Sequence, residues 1–248
     1  MAPTPTSTPT PTPPRDPWAE AVAHLRRVDP AMGALIDRVG PCALRPRRDR
    51  FGMLVRAILG QQISTKAAAA INNRLLALTG PVCTPDALLA LGVDGLRGVG
   101  ASGSKAAYLL NLSEAVAGGH VPLHHVGRWD DDTIIARLTT IKGIGVWTAE
   151  MFLIFALNRP DVLPVHDLGI RVALRDYHGL SDPPAPAQSR SLGEPWRPFR
   201  TAASWYLWRS LDLKAAAPPP QADDPFMPSP AAKPTPPKTR PTTKRAKP

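Results

Sequence analysis

From residue 51 to residue 59 the chain reads FGMLVRAIL, with apolar side chains recurring every three or four positions, the spacing that gathers them on one side of a helix. The run stops at Gly60. Ser64 then stands where an N-cap belongs for KAAAAINNRLLAL, which stops in turn at Gly80. Upstream, Asp16 followed by Pro17 predicts an N-cap and a first helical position leading into WAEAVAHLRRV. Pro85 and Asp86 open the short run ALLAL, and Ser104 opens KAAYLLNLSEAVA, which the pair Gly118 and Gly119 ends. In DDDTIIARL, residues 130 to 138, aspartates fill the first turn where the helix dipole favours them, and Ile134, Ile135 and Leu138 share a face. TAEMFLIFAL, residues 148 to 157, is apolar nearly all round and predicts a buried central helix. DLGIRVALRDY, residues 167 to 177, follows a proline-bounded loop. After a second loop over residues 181 to 195, PFRTAASWYLWRSL predicts a last amphipathic helix carrying Trp205 and Trp208.

No stretch alternates apolar and polar residues over a useful length, so the body, residues 16 to 213, reads as all-α. The chain's 43% hydrophobic content is enough to build a core. The ends differ: seven of the 31 prolines fall in residues 1 to 17 and eleven in residues 214 to 248, which have almost no large apolar side chains. The expected organisation is a disordered Pro/Thr-rich arm over residues 1 to 15, a helical domain over 16 to 213 and a disordered Pro/Lys-rich tail over 214 to 248.

Charge sharpens this division. The tail carries seven Lys and Arg against two Asp, which is +5 of the chain's +10. Such a tail is either a solubilising arm or a polycation that lingers on nucleic acid through counterion release. Cys42 and Cys83 are the only cysteines, too few for a disulfide framework or a four-thiolate metal or iron-sulfur site. His124 and His125 lack a matching ligand set, so no metal held by side chains is expected. The N-terminus has neither a basic start nor an apolar core, and no run approaches the roughly 18 apolar residues of a membrane span. The expectation is an intracellular monomer without a membrane association, in the cytoplasm or nucleoid of a bacterial host.

IKGIGVWTAE, residues 141 to 150, joins two of the predicted helices. Gly143 and Gly145 permit a tight turn and keep side chains away from the amides that open the next helix, where unpaired N–H groups and the dipole together favour an anion such as a phosphate. Two glycines this close can equally serve packing at a corner. Asp167, by the same logic, can be a first-turn carboxylate that only stabilises its own helix. Gln61 and Gln62 can be exposed turn residues, and tryptophans on a helix are ordinarily core.

The wider pattern LxxIxGIGxWTA, residues 138 to 149, resembles the helix-hairpin-helix motif of the DNA glycosylase superfamily. That resemblance implies two helical subdomains flanking a cleft, with Lys142, Gly143, Ile144, Gly145 and Thr148 holding the DNA backbone, often with a monovalent cation bound at the hairpin and no other cofactor. It also implies that Asp167, preceded by the loop DVLPVH, is the catalytic aspartate. A carboxylate near C1′ would stabilise positive charge developing on the deoxyribose and orient or deprotonate the attacking water.

Bifunctional members carry a lysine where this chain has Trp147, so strand cleavage through a Schiff base is not expected. Trp147 matches the alkylpurine branch, and the body resembles 3-methyladenine DNA glycosylase II. LGQQISTKAA, residues 59 to 68, resembles the segment of that branch whose side chain fills the gap left by a flipped nucleotide, which assigns Gln62, with Gln61 beside it, as the wedge. PWRPFRTAASWYLW resembles the family's last helix and assigns Trp205, with Trp147, to the walls of the base pocket. Electron-rich indole faces suit an alkylated purine, which carries a formal positive charge. The implied function is monofunctional hydrolysis of alkylated purines such as 3-methyladenine from duplex DNA, by base flipping, at the start of base excision repair. A non-catalytic damage-recognition module and a glycosylase for mismatched or oxidised bases are the alternatives.

Overall fold

The computed structural model describes residues 16 to 214. Among the described residues there are eleven α-helices and no strand. The arm and the tail expected from the sequence lie outside them, except for Lys214, which closes the last helix and pairs with Asp176 at 3.0 Å.

Caps decide where most helices begin. Ser64 accepts a hydrogen bond from the Ala67 amide and starts α4 (Thr65–Thr79), Thr84 does the same for α5 (Pro85–Gly98) from Ala87, and Asp130 for α7 (Asp131–Thr139) from Thr133. Asp49 caps α3 (Arg50–Gly60) through the Gly52 amide. Two predicted starts and one predicted end shift. Asp16 caps a turn, through the Trp18 amide at 3.0 Å, and α1 (Ala19–Val28) begins two residues later than the Asp-Pro signal implied. The helix assigned to Ser104 starts two residues earlier, because Ser102 is the side chain that bonds the Lys105 amide; α6 is Gly103–Ala117. The run ALLAL does not end at Leu91: the chain kinks at Gly92 (φ 61°) and α5 resumes to Gly98.

Two helices escaped the periodicity. α2 (Pro30–Val39) begins on Asp29 and Pro30, the same signal as Asp16 and Pro17, with the Asp29 carboxylate bonded to the Met32 amide at 3.1 Å. α10 (Pro186–Gly193) occupies part of the expected loop over residues 181 to 195; its sequence PAQSRSLG has one large apolar residue and therefore no period to read. α8 (Val146–Phe155), α9 (Leu168–His178) and α11 (Arg200–Lys214) fall where patterning placed them, and α8 is buried nearly all round.

Helix packing separates into two groups. α1, α2, α9, α10 and α11 pack on one another, so both ends of the folded chain build one group; α3 to α8, from the middle, build the other. The extended segment before α3 and the loop after α8 join them: Trp18 Nε1 donates to Leu44 O at 2.9 Å, and Arg47 N donates to Phe155 O at 2.8 Å. The loop between α8 and α9 is held to α11 by Thr201 Oγ1, which accepts from Val162 N at 2.9 Å, and by Arg200, whose Nε meets Asp161 Oδ1 at 2.7 Å. That loop delivers Asp167 to the seam between the groups.

Candidate active site

The hairpin between α7 and α8 is a compact turn. Ile141 N bonds Leu138 O at 3.1 Å and Ile144 N bonds Ile141 O at 3.0 Å. Gly143 has φ 102°, and a Cβ there would be driven into the ring of Tyr108 on α6, so backbone conformation and space both require glycine. Gly145 is the N-cap of α8 and no side chain caps that helix. The consequence is a helix N-terminus open to an anion, flanked by exposed Lys142 and by Val146, which is 44% exposed.

The structure narrows what the other expected backbone-binding residues can do. Ile144 is buried, and its amide is already bonded within the turn, so it anchors the hairpin. The Thr148 side chain is buried too. Its contribution to an anion is therefore limited to the amide, which belongs to the first turn of α8. Gln61 Nε2 donates to Gly143 O at 3.0 Å, bracing the hairpin from the end of α3. Gln62 is exposed and has φ 59°, a left-handed conformation held by a residue other than glycine at the tip between α3 and α4.

Asp167 is the N-cap of α9 and is half-buried. Its Oδ1 accepts from Ile170 N at 2.8 Å and from Trp208 Nε1 at 3.1 Å, while Oδ2 accepts from Trp147 Nε1 at 2.8 Å. Two indoles from different helices thus fix the carboxylate in the seam. Oδ2, with one donor, keeps a lone pair for a further partner. The Trp208 ring stacks on Phe155, centroids 5.8 Å apart, which fixes its N–H direction. Gly169 lies beneath: a Cβ there would press on Asp167 Oδ1 at 3.0 Å and on the Trp208 ring at 3.4 Å. His166 points away as exposed surface.

Trp205, assigned to the pocket from the sequence, is 4% exposed; its ring packs edge-on to Tyr206 and under Arg209, and its Nε1 meets no acceptor. The tryptophan that reaches the carboxylate is Trp208. A signal for this was present: Thr201, Ser204 and Trp208 recur at helical spacing, and the first two bond the loop that leads to Asp167. A second residue that patterning passed over is Glu150, one turn after Trp147 on α8. Burial pushes its carboxyl up to about 7, against the pull of Arg190 and with a further push from the charge of Asp167.

Comparison with known proteins sets this geometry in a family. Residues 55 to 198 match the model of the HhH-GPD superfamily base excision DNA repair proteins. The chain belongs to that superfamily. It is 38% identical over 200 residues to DNA-3-methyladenine glycosylase 1 of Schizosaccharomyces pombe, covering 78% of this chain and 88% of that one. Two solved structures superpose well. The Schizosaccharomyces pombe 3-methyladenine DNA glycosylase in complex with abasic DNA does so with a TM-score of 0.70 and 38% identity, over 77% of this chain and 96% of that one. A DNA-3-methyladenine glycosidase from Bacillus halodurans gives 0.71 and 33%, over 80% and 92%. The all-helical fold expected from the resemblance is thereby established, and the HhH-GPD match spans the hairpin, Asp167 and the Gln62 tip.

Proposed function

We propose that this HhH-GPD protein is a monofunctional DNA glycosylase that removes alkylated purines such as 3-methyladenine from duplex DNA. The observation that carries the reading is Asp167, held by the N–H groups of Trp147 and Trp208 beside an uncapped helix N-terminus at a glycine hairpin. The names of the relatives point the same way.

In this scheme the open end of α8, with Lys142 and Gly143, grips a backbone phosphate. Gln62 enters the stack as the target nucleotide leaves it. The alkylated base meets the indoles of Trp147 and Trp208, whose faces favour a cationic ring. The glycosidic bond breaks with its electron pair going to the base, and the Asp167 carboxylate stabilises the cationic sugar until water adds at C1′ and loses its proton. Free base and an abasic site result. Position 147 supplies no amine, so no Schiff base forms there. The helical domain over residues 16 to 213 acts alone in this scheme, as a monomer, and the basic tail adds salt-sensitive affinity for DNA.

The test is release of 3-methyladenine from methylated duplex DNA by wild type and Asp167→Asn. Asparagine keeps the cap on α9 through its carbonyl oxygen but sets an NH2 against the Trp147 N–H and removes the charge, so base release should fall by about two orders of magnitude or more in a protein that still folds. Equal rates would remove Asp167 from the chemistry, and no release by wild type from any alkylated substrate would favour a non-catalytic damage reader.

A further inference from the structure

Glu150 is the one charged residue in α8, a helix otherwise apolar on all sides. It lies three residues after Trp147 and so on the same side of the helix, behind the indole that holds Asp167. Its Oε2 is buried and meets no hydrogen-bond donor, so it is not a satisfied structural carboxylate. Two charges act on it: Arg190, exposed on α10, and Asp167 at the head of α9. α3 and α7, which also pack on α8, add none. Glu150 therefore stands between an exposed cation and the Asp167 carboxylate at the seam between the two helix groups, on the face of α8 that carries Trp147.

We propose that Glu150 is a positioning residue for the glycosidic step, a second carboxyl behind Asp167 whose ionisation, moderated by Arg190, sets the negative potential that the reacting sugar meets. This rests on the proposed function of the site. A neutral Glu150 leaves Asp167 as the sole acid in the seam; an ionised one adds a second charge on the same side of the cationic sugar. With its field screened and partly offset by Arg190, a unit charge behind Asp167 changes the rate by roughly three- to tenfold. Because burial holds the Glu150 carboxyl near 7, that change falls in the neutral range, and catalysis rises with pH as the proton leaves.

The experiment measures single-turnover release of 3-methyladenine from methylated duplex DNA between pH 5.5 and 8.5. Wild type should show a rise of about three- to tenfold centred near neutrality. Glu150→Gln should be flat and close to the acid plateau of wild type. Arg190→Ala, which removes the charge that favours ionisation, should move the rise to higher pH. Carboxyl carbon NMR of protein labelled in its four glutamates should show one resonance titrating near neutrality in wild type and missing in Glu150→Gln. A Glu150→Gln protein with the wild-type pH profile overturns the inference, as does a loss of rate that is uniform in pH, the signature of a purely structural role. Should Glu150→Gln fail to fold, an Arg190→Ala profile superposing on wild type overturns it instead. Wild type that releases no base at any pH overturns the proposed function, and this inference with it.

Discussion

Asp167 uses one side chain for two purposes, and its neighbours show how they are separated. Oδ1 caps α9 and Oδ2 faces Trp147, so the carboxylate is anchored by the fold on one oxygen and presented by it on the other. Trp208 holds the anchored oxygen with its N–H and braces its ring on Phe155. Trp208→Phe keeps the ring stacking and removes the N–H. Loss of a hydrogen bond to a charged group should slow base release on the order of tenfold with little change in melting temperature. Trp205→Phe should do the reverse, because a core tryptophan is truncated: a loss of about 1 to 3 kcal/mol in thermal unfolding with activity retained. Paired measurements of rate and melting temperature on the two variants decide which tryptophan belongs to the site, and the opposite pattern would return Trp205 to it.

At the scale of elements, helix starts were legible where a cap preceded an apolar period, as at Ser64 and Asp130, and obscure where one of the two signals was missing. α10 has Pro186 at its start but no apolar stripe, and α2 hides behind a glycine and a short run, although Asp29 and Pro30 announce it. The turn at Gly143 and the cap at Asp167 were readable from residue type, a glycine where φ is positive and a carboxylate at an N-cap, while the roles expected of them came from the resemblance. The contact of Trp208 with Asp167 was not readable, because it depends on how α11 rolls against a loop some forty residues away in sequence. The contact of Gln61 was not legible for the same reason, since its partner Gly143 is 82 residues distant. The tip between α3 and α4 offers a test at this scale. Gln62 holds φ 59°, which for a residue with a side chain costs roughly 1 kcal/mol that glycine avoids. Gln62→Gly should therefore leave stability unchanged or raise it by up to about 1 kcal/mol while weakening base release from duplex DNA more than from single-stranded DNA. A substitution that lowers stability and spares duplex activity would show that the tip serves the fold alone.

Across the whole molecule the two helix groups meet at a seam in which Glu150 is half-buried with its Oε2 out of solvent, and its proton links folding to pH. In the unfolded chain a glutamate ionises near 4.5; in the fold burial moves this to about 7. The folded state therefore holds a proton that the unfolded state has lost, and by linkage the stability this group supports is intact below about pH 4.5 and declines as pH rises toward 7. A shift of this size is on the order of 3 kcal/mol once the decline is complete. Glu150→Gln removes the titration, so its melting temperature relative to wild type should climb between pH 5 and pH 8, by roughly 5 to 10 °C for a domain of this length. Asp29 and Asp176, whose carboxyls are held low by hydrogen bonds, act in the opposite sense and only in acid, so they do not mask the trend above pH 5. Differential scanning calorimetry of the two proteins at constant ionic strength reads the difference directly. A gap in melting temperature that stays constant with pH would mean that Glu150 is ionised throughout, already paired in solution. The seam would then carry a permanent second charge.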